Sequence, residues 1–170
     1  TTEIYTLSLH DALPISQLSP LLFDLTSLQR EANGRFGFSA RATLQVAQAL
    51  YERHKVLTYP RTDARALPED YVDTVKEVLG NLPAEYAKFA NEIKREGWAG
   101  PNKRIYNNSK ISDHFAIIPT GTAPKTLSEP EQKIYDLVTR RFLSVFYPAA
   151  EFRVTTRITQ IGRASCRERV

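Results

Sequence analysis

Residues 21–68 decide the reading: LLFDLTSLQREANGRFGFSARATLQVAQALYERHKVLTYPRTDARALP. Thr26 and Gln29 stand at capping-box spacing, so a helix is expected to open near Thr26. Gly34 and Gly37, on either side of Phe36, are natural stop signals for it. Ser39 is placed to cap a second helix, in which Ala40, Leu44, Ala47, Leu50 and Tyr51 form an apolar stripe. Residues 24–53 thus read as two short helices joined by a glycine-containing turn. That is compatible with a helix-turn-helix-like unit, although most helical hairpins bind nothing. Residues 55–63 begin as a strand-like run, which Pro60 ends.

Working outward, Pro68, Glu69 and Asp70 open an amphipathic helix that reaches about Leu82. Pro83 starts another, ending near Gly97. Residues 98–108 look like a loop with a strand at its end, and 111–120 are short, apolar and bounded by Pro119. Ser128 and Glu131 form a second capping box, for a helix through Phe146. After Pro148, Phe152, Val154 and Ile158 mix with Thr155 and Thr156, which suits a strand. Phe23, Phe36, Phe38, Tyr135, Phe142, Phe146 and Tyr147 are most simply core, with base-stacking platforms the minority reading. The pattern is mainly α with short β-strands, an α+β class.

The 170 residues are 42% hydrophobic with a net charge of +4, which excludes a disordered chain and allows one ordinary core. No apolar run is long enough for a transmembrane helix. The one cysteine, Cys166, cannot form an intrachain disulfide, and no cysteine cluster suggests zinc. These features fit a reducing, intracellular compartment.

The two ends stand apart. Residues 1–15 resemble one reading frame of a short-read sequencing adapter, and residues 161–170 resemble its opposite strand. Residues 10–15 and 160–165 can indeed be encoded by complementary DNA. Residues 1–16 and 161–170 are therefore expected to be non-native, leaving 17–160 as a fragment.

No Gly-rich phosphate loop, HExxH zinc motif or GxSxG elbow is present. Cations gather instead at Arg30, Arg35, Arg41, Arg53, Lys55, Arg61 and Arg65, against Glu31, Glu52 and Asp63. A second basic stretch holds Lys94, Arg95, Lys103, Arg104 and Lys110. Such clusters suit a polyanion, but a solvated helical face is their commoner meaning. Tyr59, between Thr58 and Pro60, is held extended, and a tyrosine hydroxyl is a competent phosphodiester nucleophile where cations neutralise the phosphate. Arg61 can clamp that phosphate bidentately. The plainer alternative is an aromatic anchor beside a proline, with Arg61 on the surface. His114, beside Asp113, can bind phosphate or donate a proton, or be bonded within its own loop. Thr26, Ser27, Gln29 and Arg30 can meet DNA phosphates from a helix N-terminus, or serve only to cap it.

Together these motifs make the chain resemble a known family. Residues 21–68 resemble the active-site region of type IA DNA topoisomerases, and ISDHFAIIPTG at 111–121 resembles their second signature. The wording is closest to the bacterial topoisomerase III branch. The resemblance implies that Tyr59 is the nucleophile that cleaves one DNA strand and holds its 5′ end as a phosphotyrosine. Arg61 is implied to position the scissile phosphate, and His114 to lie near the bound nucleotide. Thr26, Ser27, Gln29 and Arg30 fall on a family helix that approaches single-stranded DNA; Arg35, Arg41 and Arg65 are added as DNA-binding cations.

The same resemblance implies a winged-helix-like, tyrosine-bearing domain over 17–147, with 148–160 beginning a β-rich gate domain. The partners it implies are single-stranded or underwound DNA and the Toprim and gate domains of the same enzyme, in a monomer with no membrane contact. Mg²⁺ is expected in a Toprim domain outside this chain, with no ATP, and no metal site is expected within the chain. The implied location is the bacterial cytoplasm, at the nucleoid or a plasmid. Gly34 and Ala42 depart from the family where basic residues are common, and Ala64 where Ser is common. Without its Toprim domain the fragment is expected to be inactive. A non-catalytic single-stranded-DNA-binding helical module is the alternative.

Overall fold

Helix ends follow side-chain chemistry closely in the computed structural model, which describes residues 15–152. Asp24, rather than Thr26, caps the first helix, α1 (Leu25–Phe36). The Asp24 carboxylate accepts the Ser27 N–H at 2.6 Å, and Ser27 Oγ accepts the Asp24 N–H at 3.2 Å. An ionised carboxylate at a helix N-terminus is favoured over a hydroxyl, because it also opposes the positive end of the macrodipole. Gly34 lies inside α1, and the stop falls at Gly37, whose φ of 70° is the left-handed conformation that glycine adopts without a Cβ clash.

Ser39 caps α2 (Ala40–Glu52) through its side chain, which accepts the Ala42 N–H at 3.1 Å. The apolar stripe is rotated from the expected one: Thr43, Ala47 and Leu50 are buried, Leu44 and Tyr51 are half-buried, and Ala40 is exposed. Thr43 tolerates burial because its hydroxyl donates to the Ser39 carbonyl at 3.1 Å.

Pro68 opens a 3-10 turn at Glu69–Tyr71 that runs into α3 (Val72–Asn81), and Pro83 precedes α4 (Ala84–Arg95). The fifth helix, α5 (Glu129–Ser144), ends short of Phe146. Its Glu131 carboxylate accepts both the Ser128 N–H (2.8 Å) and the Ser128 hydroxyl (2.7 Å). The same side chain accepts from Arg53 Nη2 at 2.6 Å and lies 3.2 Å from His54 Nε2, tying the end of α2 to the start of α5. The Ser128 backbone N–H, then the Ser128 hydroxyl, Arg53 and His54, outweigh burial and hold this carboxyl down to about 2.

Helices α1 and α2 pack as one pair and α3 and α4 as another, and α5 touches α2, α1 and α4. Tyr135, Phe23 and Phe142 are fully buried, Phe146 is buried, and Phe36, Phe38 and Tyr147 are partly buried against them. Burying each large apolar side chain is worth roughly 1.5–3 kcal/mol, so these aromatics are core residues. Phe142 and Phe146 meet edge to face at 5.2 Å.

The expected strand at 55–63 is reduced to one antiparallel bridge, Leu57 with Pro119, and that at the end of 98–108 to one parallel bridge, Leu67 with Tyr106. Pro60 and Pro119 lack the N–H groups a ladder needs. This compact unit spans Ser19–Pro148. In a second unit, β1 (Ile15–Gln17) and β2 (Ala150–Phe152) pair antiparallel, with Ser16 opposite Glu151. The expected continuation at Val154, Thr155, Thr156 and Ile158 lies outside the described residues. Among those described, no helix is long and apolar enough to cross a membrane.

Candidate active site

Three separate stretches of chain are stitched together around Tyr59. Thr58 N–H donates to the Ile118 carbonyl at 3.0 Å. Its hydroxyl donates to the Ala116 carbonyl (3.1 Å) and accepts the Ile118 N–H (2.9 Å). Beyond Pro60, the Thr62 hydroxyl donates to the His114 carbonyl at 2.9 Å and accepts the Ala64 N–H at 3.1 Å. The third stretch joins through Leu25 N–H to the Thr62 carbonyl (3.0 Å) and Ile117 N–H to the Phe23 carbonyl (2.9 Å). Threonine hydroxyls on both sides of Tyr59 thus do the work that a ladder would do in a strand.

This stitching brings Tyr59 and His114 together, with ring centres 4.4 Å apart and planes inclined by 48°. Tyr51, from the last turn of α2, meets Tyr59 edge-on at 5.4 Å. Tyr59 is half-buried, whereas His114 and Arg61 are exposed. With its amide oxygen turned toward the guanidinium, Gln48 of α2 accepts from Arg61 Nε and Nη2, each at 3.1 Å. That leaves Nη1 of the guanidinium fork outside the Gln48 contact. A cavity of about 320 Å³ adjoins Tyr59, lined by Tyr51, Lys55, Leu57, Thr58, Tyr59, Phe115 and Thr120. The structure brings the phenol and the imidazole together, while the exposed Arg61, two residues beyond Tyr59, turns to Gln48; a phenol, an imidazole and a guanidinium are a set suited to an anionic ester.

The remaining candidate residues divide. Thr26 and Arg30 are exposed on the first turns of α1. Ser27 is engaged by Asp24, and Gln29 Nε2 donates to the Ala40 carbonyl at 3.0 Å, joining α1 to α2. Arg35 pairs with Glu31 at 2.7 Å along the helix. Arg65 reaches back to Asp24, with Nε at 2.8 Å from Oδ2. Burial opposes ionisation of Asp24, but hydrogen bonds from Arg65 and Ser27 outweigh it and hold the carboxyl below its ordinary value. Arg41 is exposed at the start of α2 and has no ion pair among the described residues.

Sequence reasoning missed Asp24, Gln48 and Tyr51 as neighbours of the site, and counted Lys55 only as one of a basic cluster. Tyr51 carried a signal as an aromatic at the edge of the α2 stripe. The Mg²⁺ implied by the resemblance finds no ligand set here: among the described residues, no three His, Cys, Asp or Glu side chains stand together to hold a metal.

Comparison with known proteins gives these features a lineage. The family described as DNA topoisomerase matches residues 11–169. DNA topoisomerase 3 of Bacillus subtilis (strain 168) is 48% identical over 147 residues, covering 85% of this chain and 20% of that protein. DNA topoisomerase 3 of Shouchella clausii is 46% identical over 140 residues, covering 81% and 19% respectively. The chain thus spans about a fifth of the length of the curated relatives it matches. Full-length topoisomerase I from Thermotoga maritima shares the fold, with a TM-score of 0.58 at 22% identity over 89% of this chain and 24% of that one. The chain belongs to the DNA topoisomerase family, within its type IA, topoisomerase III-like group.

Proposed function

We propose that this chain is the tyrosine-bearing part of an enzyme that cleaves and reseals one strand of single-stranded or underwound DNA. The observation that carries the reading is the Tyr59–His114 contact at 4.4 Å, made by two signature segments bonded backbone to side chain. In the reaction, Tyr59 Oη attacks the scissile phosphorus and loses its proton to solvent, while the P–O3′ bond breaks. The departing 3′ oxygen takes up a proton, and the 5′ end remains on Tyr59 as a phosphotyrosine diester. Arg61 holds a non-bridging phosphate oxygen, and His114 hydrogen-bonds the phosphate beside the attacking phenol. Because one ester replaces another, the bond energy is kept, and religation by the 3′ hydroxyl runs the same steps backwards without ATP.

On this reading residues 17–147 form the tyrosine domain, and 148–160 begin a gate domain through which a second strand passes. Mg²⁺, when bound by the Toprim domain of the parent enzyme, supplies further phosphate charge neutralisation. The parent works as a monomer in the bacterial cytoplasm, on nucleoid or plasmid DNA.

The test is covalent capture. A chimera carrying 17–160 in place of the matching region of an intact type IA enzyme is incubated with internally labelled single-stranded DNA and Mg²⁺. It is expected to form an adduct bearing the DNA 5′ end, and Tyr59→Phe is expected to abolish that adduct while barely changing DNA affinity. A folded, DNA-binding chimera without an adduct would make the segment a binding module.

A further inference from the structure

The cavity beside Tyr59 has walls of distinct chemistry. Tyr51, Tyr59 and Phe115 give it aromatic faces and Leu57 an apolar one. The Thr58 and Thr120 hydroxyls on its lining are already committed, Thr58 to Ala116 and Ile118 and Thr120 to the Lys55 carbonyl at 2.7 Å. With both threonine hydroxyls committed, what the cavity presents is mainly π-surface, the remaining hydroxyls on its lining being the phenols of Tyr51 and Tyr59. Its volume of about 320 Å³ lies at the small end of the ligand-pocket range of roughly 300–1,000 Å³.

Lys55 supplies the one charge on this lining. Its φ of 58° is the left-handed conformation that side chains disfavour. The turn is nevertheless clamped: Val56 N–H donates to the Leu50 carbonyl and Thr120 N–H to the Val56 carbonyl, each at 3.0 Å. So held, the Lys55 ammonium stands 5.4 Å from the Tyr51 ring centre. Lys76 and Lys133 are bonded to Asp73 and Glu129, whereas Lys55 has no carboxylate partner among the described residues. Strained backbone held in place by its surroundings gathers at functional sites.

A flat aromatic group attached to a phosphate is what such a cavity, with one cation at its side, suits, and in DNA that is a nucleotide. We infer that this cavity takes the base of a nucleotide flanking the scissile phosphate, stacked without regard to its identity, while Lys55 contacts that nucleotide's own phosphate. The inference deepens the proposed function and rests on Tyr59 acting on DNA.

The test uses the whole 170-residue chain and a labelled single-stranded oligothymidine, with equilibrium anisotropy read across a salt series. Lys55→Gln is expected to bind about fivefold more weakly at low salt and to lower the salt slope by about 0.7, the loss of one single-strand phosphate contact. Lys55→Gly relieves the positive φ, so it is expected to unfold at a higher temperature yet lose the same affinity, a pairing that a merely structural lysine would not give. A single abasic site moved along the strand is expected to weaken binding about fivefold or more at one position. Phe115→Leu, which keeps volume but removes the ring, should erase that dip while circular dichroism shows the fold retained.

Unchanged affinity and slope in both Lys55 variants, a flat abasic profile, or no binding by the folded chain at low salt would each overturn the subsite. A Tyr59 adduct together with silent Lys55 variants would remove the subsite and leave the nucleophile. The Lys55 and abasic effects without an adduct would do the reverse.

Discussion

Tyr59 owes its position to neighbouring hydroxyls as much as to its own ring. Thr58 and Thr62 each bond the segment that carries His114, so the phenol and imidazole meet although their residues lie far apart in sequence. Tyr59, Arg61 and His114 were singled out because the two stretches that carry them resemble family signatures; as residue types alone they fitted an aromatic anchor, a surface arginine and a loop histidine equally well. Their partners were not legible, since Gln48 on a helix surface looks like any solvated glutamine. Its contact depends on how α2 lies beside the Tyr59 segment. With its amide oxygen turned toward the guanidinium, Gln48 accepts at 3.1 Å from both Nε and Nη2, a contact that favours one orientation of the guanidinium plane before any phosphate arrives. Gln48→Leu in the chimera is accordingly expected to slow adduct formation about tenfold, the cost of roughly 1.4 kcal/mol of lost positioning. DNA affinity should change little. Single-turnover rates alongside equilibrium binding would check this, and a loss confined to binding would show that Gln48 acts otherwise.

Among the elements, the clearest chemistry is the junction of α2 and α5. The capping box at Ser128 and Glu131 was legible because its spacing is local. That the same carboxylate also gathers Arg53 and His54, from the end of α2, is tertiary information that no spacing carries. The first helix shows the opposite failure. Thr26 and Gln29 had the right spacing, but Asp24 stood upstream with a better acceptor and an arginine, Arg65, to keep it ionised.

The folded-state value of Glu131, about 2, lies below its ordinary 4.5. Its contribution is therefore fully present above pH 4.5 and is lost as the pH falls from 4.5 toward 2. We expect about 2 kcal/mol of stability to disappear over that interval, allowing for screening of the exposed Arg53 partner. Urea unfolding of wild type and Glu131→Gln should differ at pH 7, and the difference should shrink steadily as the pH falls from 4.5 through 2. A constant difference across that range would show that the carboxylate's charge is not what the junction uses.

For the molecule as a whole, the legible part was the mainly helical class, because capping residues and apolar periodicity are written locally. The rotation of the α2 stripe and the collapse of two expected strands into single bridges were not, since both depend on what packs alongside. Strand passage needs a gate large enough to admit DNA, and this chain spans about a fifth of its curated relatives. We therefore expect the purified chain to leave supercoiled plasmid unrelaxed in Mg²⁺, even where it binds single strands. Gel separation of topoisomers would read this directly, and a ladder of relaxed products would refute it.

The threonine stitching also has a consequence in time. The bonds from Thr58 to Ala116 and from Thr62 to His114 close chain separations of 58 and 52 residues, whereas the α1–α2 and α3–α4 pairs are each built from adjacent segments. Closing long loops costs entropy before any contact repays it, so local pairs form early and distant ones late. During synthesis, the segments of α1 and α2 are made before the ribosome reaches Ile118. A chain still being made carries the phenol without its imidazole, so the two halves of the site meet only when the second signature has emerged.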